Sequence, residues 1–364
     1  MAGPSPQTNN TTPATPPRRL LLVSIPRTAS NLLLKILNIP QQPNLLTSAK
    51  GGYFFYPAYT KAAAALNNNL PHKPISQWTD DQKAEAQRSF QECFNTLEEY
   101  STQASTTHKM MFAKEHAYWL YSPAALHKAS TGIHDEALFN EFRIAMPEQY
   151  GAAQTYSRLN ETVFSDEYLR SWQLAFIIRH PALAWPSMYR AMVKIGESGL
   201  LDEDGVRGAS FSNMDMRWTR LMYEWCLEQP DRPVPPPVID AHDLVHNPGV
   251  VGEFCERTGL DKGVVQFEWA EQGETRKSAK WGSHVVGEGA EEVSLHQRAA
   301  GVMLSTLESS SGVVRDKAPE DVDIDVEAAK WRVEFGEEIG GLVEEYVRKS
   351  MPDYEYLKAR RITV

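Results

Sequence analysis

Residues 20–37 read LLLVSIPRTASNLLLKIL: an apolar run, a short polar turn, and a second apolar run. The first run, Leu20 to Ile25, shows little alternation of apolar with polar residues, which marks a strand buried on both faces, as in a parallel sheet. The second, residues 28–38, is apolar on most sides and is predicted to be a helix. A strand that turns directly into a helix leaves the first helical N–H groups, and the positive end of the helix dipole, at the turn. An anion is stabilised there, the more so beside Arg27 and the hydroxyls of Thr28 and Ser30. The stretch holds no glycine, and the chain holds no G-x-x-x-x-G-K-[ST] pattern. The plainer alternative has Thr28 cap a core helix.

Working outward, KMMFAKEH (109–116), WQLAFIIRH (172–180) and the end of PVPPPVID (233–240) predict further strands. Between them the patterns predict helices over 79–105, from Pro181 towards Lys194, over 212–228 and over 249–260, with a C-terminal helix over 328–351. Pro186 should kink the helix that contains it. Residues 1–18 are rich in Pro, Thr and Asn, lack the apolar segment of a signal peptide, and are read as a disordered tail. That leaves 19–364 as a single α/β domain, with 271–325 loop-rich. Strands alternating with helices imply a mostly parallel sheet, whose ligands sit beyond the carboxyl ends of the strands. Four strands stop at polar clusters: residues 26–31, Lys114-Glu115-His116, Arg179-His180, and residues 240–243. In a parallel sheet these share one edge.

The composition limits what that edge can bind. With 37 Lys and Arg against 47 Asp and Glu, the 364-residue chain carries a net charge of −10. This argues against a nucleic-acid or anionic-membrane surface, so an anionic ligand needs a local cluster of cations. No apolar run reaches the ~20 residues of a membrane span. The three cysteines form neither zinc nor redox spacing, which points to reducing, cytoplasmic surroundings. No metal-ligand spacing is visible.

The order strand, Pro26-Arg27-Thr28-Ala29-Ser30-Asn31-Leu32, helix resembles the sulfotransferase loop that holds the 5′-phosphosulfate of PAPS (3′-phosphoadenylyl sulfate), usually P-K-S-G-T-T-W. Arg27 stands for the Lys, Ala29 for the Gly, and Leu32 for the Trp on which the family stacks adenine. FIIRHPALAWPSMYR resembles the family's 3′-phosphate segment, with Arg179 and Ser187 eight residues apart; an Arg at a strand end and a Ser on the next helix can grip one phosphate from two sides. FAKEHAYWL resembles the family's K-T-H segment, with Lys114 and His116 in place and Glu115 for the Thr. VIDAHDLVHNPGVVGEFCERTGL resembles the segment in which Asp243 ties loops together. ETRKSAKWGSH resembles the late R-K-G loop, offering Arg276 and Lys277 with Ser278 for the Gly.

The resemblance implies a P-loop NTPase-like three-layer α/β fold and an enzyme that moves a sulfuryl group from PAPS to a small-molecule hydroxyl, releasing PAP and needing no metal. Under it Arg27, Thr28, Ala29, Ser30, Asn31, Arg179, Ser187, Arg276 and Lys277 bind the co-substrate. His116 removes the acceptor's proton, while Arg27 and Lys114 stabilise charge on the bridging oxygen. A neutral or apolar hydroxylated acceptor, such as a specialised metabolite, suits an acidic protein. Residue-level alternatives remain for each: a solvated His116 paired with Glu115 or Glu85, a structural ion pair for Arg179, and a basic surface spot for Arg276 and Lys277. His180 and His134 are rival histidines. At the level of function the alternatives are sulfation that drives elimination or cyclisation, a PAPS-binding protein without turnover given Ala29, Leu32 and Ser278, and a nucleotide-dependent kinase.

Overall fold

The computed structural model describes residues 18–48, 51–59, 75–269, 301–304, 307 and 310–364. The predicted tail up to residue 17, and the basic segment with Arg276 and Lys277, lie outside the described residues. Five strands, β1 (Arg19–Ser24), β2 (Leu45–Thr47), β3 (Met110–His116), β4 (Gln173–Ile178) and β5 (Val238–Asp240), form one sheet in the order β2-β3-β1-β4-β5. Every neighbouring pair is parallel.

The two-sided burial read from Leu20 to Ile25 is what makes this sheet central. Leu21 and Val23 face one core with Phe90, Phe94 and Leu97 of helix α2 (Asp80–Thr106). Leu20 and Leu22 face a second core with Leu33 and Ile36 of α1 (Ser30–Ile36). Helices thus cover both faces, and the chain adopts the three-layer, P-loop-like α/β fold that the sequence implies. Helix α2 starts where Thr79 and Gln82 exchange a reciprocal capping box.

After β4 the chain runs through α3 (Pro181–Glu197), α4 (Glu203–Ser212) and α5 (Arg217–Leu227) to β5, then through α6 (Ala241–His246) and α7 (Pro248–Thr258). Helix α7 ends at Gly259 with φ 75°, a left-handed cap that glycine adopts without steric cost. The C-terminal part holds α8 (Ile324–Phe335) and α9 (Glu337–Lys358).

Two expectations are corrected. The helix predicted over 212–228 starts later, at Arg217, because Ser212 ends α4 and Asp215 accepts from the Arg217 N–H, which starts α5 after a turn that buries Met214 and Met216. Helix α3 runs on through Pro186, which is buried. The C-terminal helix predicted over 328–351 is a hairpin of α8 and α9, broken at Gly336 with φ 84°. The strand β2 was not foreseen, being too short for its alternation to show.

The hairpin closes at Gly340, where a Cβ would lie 2.6 Å from the Arg332 backbone. Gly341 has open space at the same position. Gly340→Ala should therefore cost ~1–3 kcal/mol through overpacking, whereas Gly341→Ala should gain ~0.5–1 kcal/mol of helix propensity. Urea denaturation of the two variants checks this; shifts of the same sign would show that the hairpin contact does not control stability.

Candidate active site

The parallel register sets the polar strand ends side by side: Ser24 lies opposite His116, and Ile178 opposite Asp240. A cavity of about 850 Å³ opens at this edge. Its floor is the loop after β1, where Arg27 (φ 70°) and Ala29 (φ 64°) both take the left-handed conformation. Thr28, between them, is fully buried and donates from Oγ1 to the Ile25 carbonyl at 2.7 Å. Its hydroxyl braces the loop, so it neither caps α1 nor faces the cavity. Helix α1 starts at Ser30 with no side-chain cap and no acid in its first turn. Pro26, Arg27, Ala29, Ser30, Asn31 and Leu32 line the cavity.

The two phosphate motifs, far apart in sequence, meet in space. Arg27 donates from Nε to Ser187 Oγ at 3.0 Å and from Nη1 to the Met303 carbonyl at 2.6 Å. Arg179 donates from Nη1 to the Arg27 carbonyl at 3.0 Å. Burial holds the Arg27 guanidinium below its ordinary pKa. Burial, then the charge of Arg27, brings Arg179 down to about 10, with Asp240 opposing. Two buried cations that disfavour each other form a site an anion relieves. Arg179 is thus part of the cavity wall.

Lys114 is fully buried and does not line the cavity. Its Nζ donates to Asn31 Oδ1 and lies 4.1 Å from the centre of the Tyr53 ring. It reaches the loop through Asn31, which itself lines the cavity. Burial lowers it to about 7, against the attraction of Glu115.

Glu115 sits where the family has Thr, and it does a different job. Oε1 accepts from the N–H groups of Phe54 (2.5 Å) and Phe55 (3.0 Å), pinning the segment 53–55 onto β3. Oε2 is buried with no partner among the described residues. Burial raises this carboxyl to about 8.

His116 is 5 % exposed and bonded at both ring nitrogens. Ser24 Oγ donates to the Glu115 carbonyl at 3.1 Å and lies 2.9 Å from His116 Nδ1. A hydroxyl has one proton; with that proton given to the Glu115 carbonyl, we assign Nδ1 as the donor and Nε2 as the acceptor. Nε2 then accepts from the Tyr53 hydroxyl at 2.8 Å. Burial, and next the Lys114 charge, hold His116 well below its ordinary pKa, against a bond to the Ser24 backbone. It is neutral at pH 7, and it pairs with neither Glu115 nor Glu85. Its rivals are placed elsewhere. His180 caps α3, accepting at Nδ1 from the Ala182 N–H at 3.2 Å, and His134 is a surface partner of Glu136. Asp243 takes a bond from Arg361 Nε at 2.6 Å.

Residues 51–59 read GGYFFYPAY, an aromatic tract that divides by residue. Phe54 and Phe55 enter the core, while Tyr53, Tyr56 and Tyr59 line the cavity beside Trp119. Sequence reasoning missed Tyr53 and Ser24. One signal was present: Gly52, at φ 89°, holds a place where a Cβ would meet Lys114 N at 3.1 Å, and a glycine inside an aromatic run marks such a close approach. Opposite the loop the walls are apolar, with Met188, Met192, Leu200 and Leu201. Among the described residues no helix is long and apolar enough to cross a membrane.

No protein-family model matches the chain. It is 33% identical over 360 residues to a protein of Metarhizium rileyi named Sulfotransferase ppzF, covering 95% of this chain and 96% of that one. A protein of the same name from Metarhizium majus is also 33% identical over 360 residues, covering 95% of this chain and 97% of the relative. Among solved structures, the sulfotransferase domain of a Synechococcus olefin synthase is 12% identical, covers 85% of this chain and 96% of its own, and has a TM-score of 0.29.

Proposed function

Because the chain belongs to the sulfotransferase family, we propose that it transfers a sulfuryl group from PAPS to a hydroxyl of a small, largely apolar molecule. The observation that carries this reading is the contact of Arg27 with Ser187 and of Arg179 with the Arg27 carbonyl. It joins two anion-binding elements into one floor, which suits a ligand with phosphate at two points. PAPS supplies an activated sulfuryl group on a phosphate leaving group.

Arg27, the backbone of Thr28 and Ala29, and Ser30 and Asn31 hold the 5′ end of the co-substrate. Arg179 and Ser187 hold its 3′-phosphate, and on their motif alone Arg276 and Lys277, outside the described residues, are assigned to the same group. Arg27 stabilises the charge that develops on the bridging oxygen, and Lys114 reinforces it through Asn31. His116, neutral and with its tautomer set by Ser24, is the base of the site. No residue role here calls for a metal. The apolar walls suit a hydroxylated specialised metabolite. The buried Cys93, Cys226 and Cys255, none of them in a disulfide, suit a reducing, cytoplasmic setting.

PAP should raise the melting temperature much more than ATP with magnesium, which lacks the 3′-phosphate. At ~100 times Kd the gain is about 2.7 kcal/mol, several degrees at most. Equal shifts with the two nucleotides would replace this reading with that of a kinase.

A further inference from the structure

We propose that Tyr53 is a catalytic residue: it takes the proton from the acceptor hydroxyl while passing its own to His116. The proposal rests on the sulfuryl-transfer reading and concerns a residue outside every motif that led to it. Three observations carry it. The acceptor nitrogen of His116, Nε2, is covered by the Tyr53 hydroxyl at 2.8 Å. The other nitrogen is committed to Ser24, so the imidazole has no second basic position. Tyr53 itself lines the cavity and bonds to Ser30 of the anion-binding loop, which sets its oxygen between the base and the place where the sulfuryl group is held.

The position of Tyr53 is built in from several sides. Glu115 fixes the N–H groups of the two following residues. The Gly52 carbonyl accepts from Lys114 N at 2.9 Å. The Lys114 ammonium lies against the phenol face, and Trp119 packs at 5.1 Å between ring centres. Burial keeps the phenol protonated at rest, since its pKa is raised well above the ordinary value. Tyr53 is therefore a donor to His116 before the acceptor arrives, as a relay requires.

The proton count closes. The acceptor O–H bond breaks and a new O–H bond forms on Tyr53, whose original proton moves to His116 Nε2. The phenol is regenerated and an imidazolium remains. The acceptor oxygen uses the freed electron pair to bond sulfur, and the pair of the broken S–O bond leaves on the phosphate.

Tyr53→Phe keeps the ring and removes the relay. In the ligand-free protein, nitrogen NMR should show His116 as the Nδ1–H tautomer in both forms, with the Nε2 resonance of the variant moved to that of an unbonded nitrogen. PAP affinity should stay within a few-fold. Turnover of an aliphatic alcohol should fall by ~10² or more, while a nitrophenol already ionised at the assay pH needs no base and should lose less than ~10-fold. Equal losses with both acceptors would make Tyr53 structural. An alcohol rate that holds or rises would make it a cover over His116. Either result overturns the relay, as does an unmoved Nε2 resonance. Failure of the parent to turn over PAPS with any acceptor would instead overturn the sulfuryl-transfer reading, and the NMR result would still judge the Tyr53–His116 contact.

Discussion

His116→Ala should cut sulfuryl transfer by ~10²–10⁴, about 3–5 kcal/mol of barrier, while PAP affinity stays within a few-fold of the parent. The split follows from geometry. The imidazole touches Ser24, Tyr53 and Trp119, whereas Arg27 and Ser187 bond to each other and Arg179 to the Arg27 carbonyl. Its folded-state pKa lies below the ordinary 6.5 because of burial and the nearby Lys114 charge. The neutral, proton-accepting form therefore persists into acid, and the low-pH limb of kcat/KM that it sets falls below pH 6.5. The same depressed pKa makes the unfolded chain bind the extra proton first, so this histidine's contribution to stability is lost as pH falls below 6.5. His116→Ala should remove both the kinetic limb and that part of the acid destabilisation. Near-parental turnover in a folded variant would take His116 out of the mechanism.

Arg27→Met should lower transfer by ~10²–10³, the usual effect of losing one donor aimed at developing charge, with a smaller loss of PAP affinity. Arg27 has two separable tasks. Its charge faces the loop cavity, and its fork joins Ser187 on α3 to the Met303 carbonyl. A lysine restores the charge but not the planar fork. Arg27→Lys should therefore regain most of kcat while PAP still binds more weakly than to the parent. Should the lysine perform no better than the methionine, the bridging contacts, not the charge, would be what transfer needs.

What could be read from the sequence was local. The strand, turn and helix of residues 20–37 announce themselves by composition, and so does the pairing of a strand-end arginine with a serine one helix turn or two later. The parallel sheet followed from strands alternating with helices. What stayed hidden depends on register and on direction. Tyr53 and His116 are 63 residues apart and Ser24 and His116 are 92 apart, and only the pairing of β1 with β3 brings the last two level. Thr28 was named by its motif, but its motif does not say which way its hydroxyl turns. Lys114 was placed on the right strand, but its motif does not say that it reaches the loop through Asn31. The C-terminal hairpin reads as one helix because helix-forming Ala, Glu, Arg and Lys residues continue on both sides of Gly336, and a single glycine there has no pattern of its own.

Arg27 and Ala29 stand at positive φ where the family's loop has a glycine at the second of these places. Such a conformation costs an L-residue ~1–2 kcal/mol, and the fold carries that cost whether or not a ligand is present. A glycine would relax the strain but leave the turn many shapes to choose from. Ordering a segment at the moment of association weakens binding, and a turn already confined avoids that penalty. The loop acts as a mould set when the chain folds: strain held in two backbone angles stands in for the freedom that an anion would otherwise have to remove.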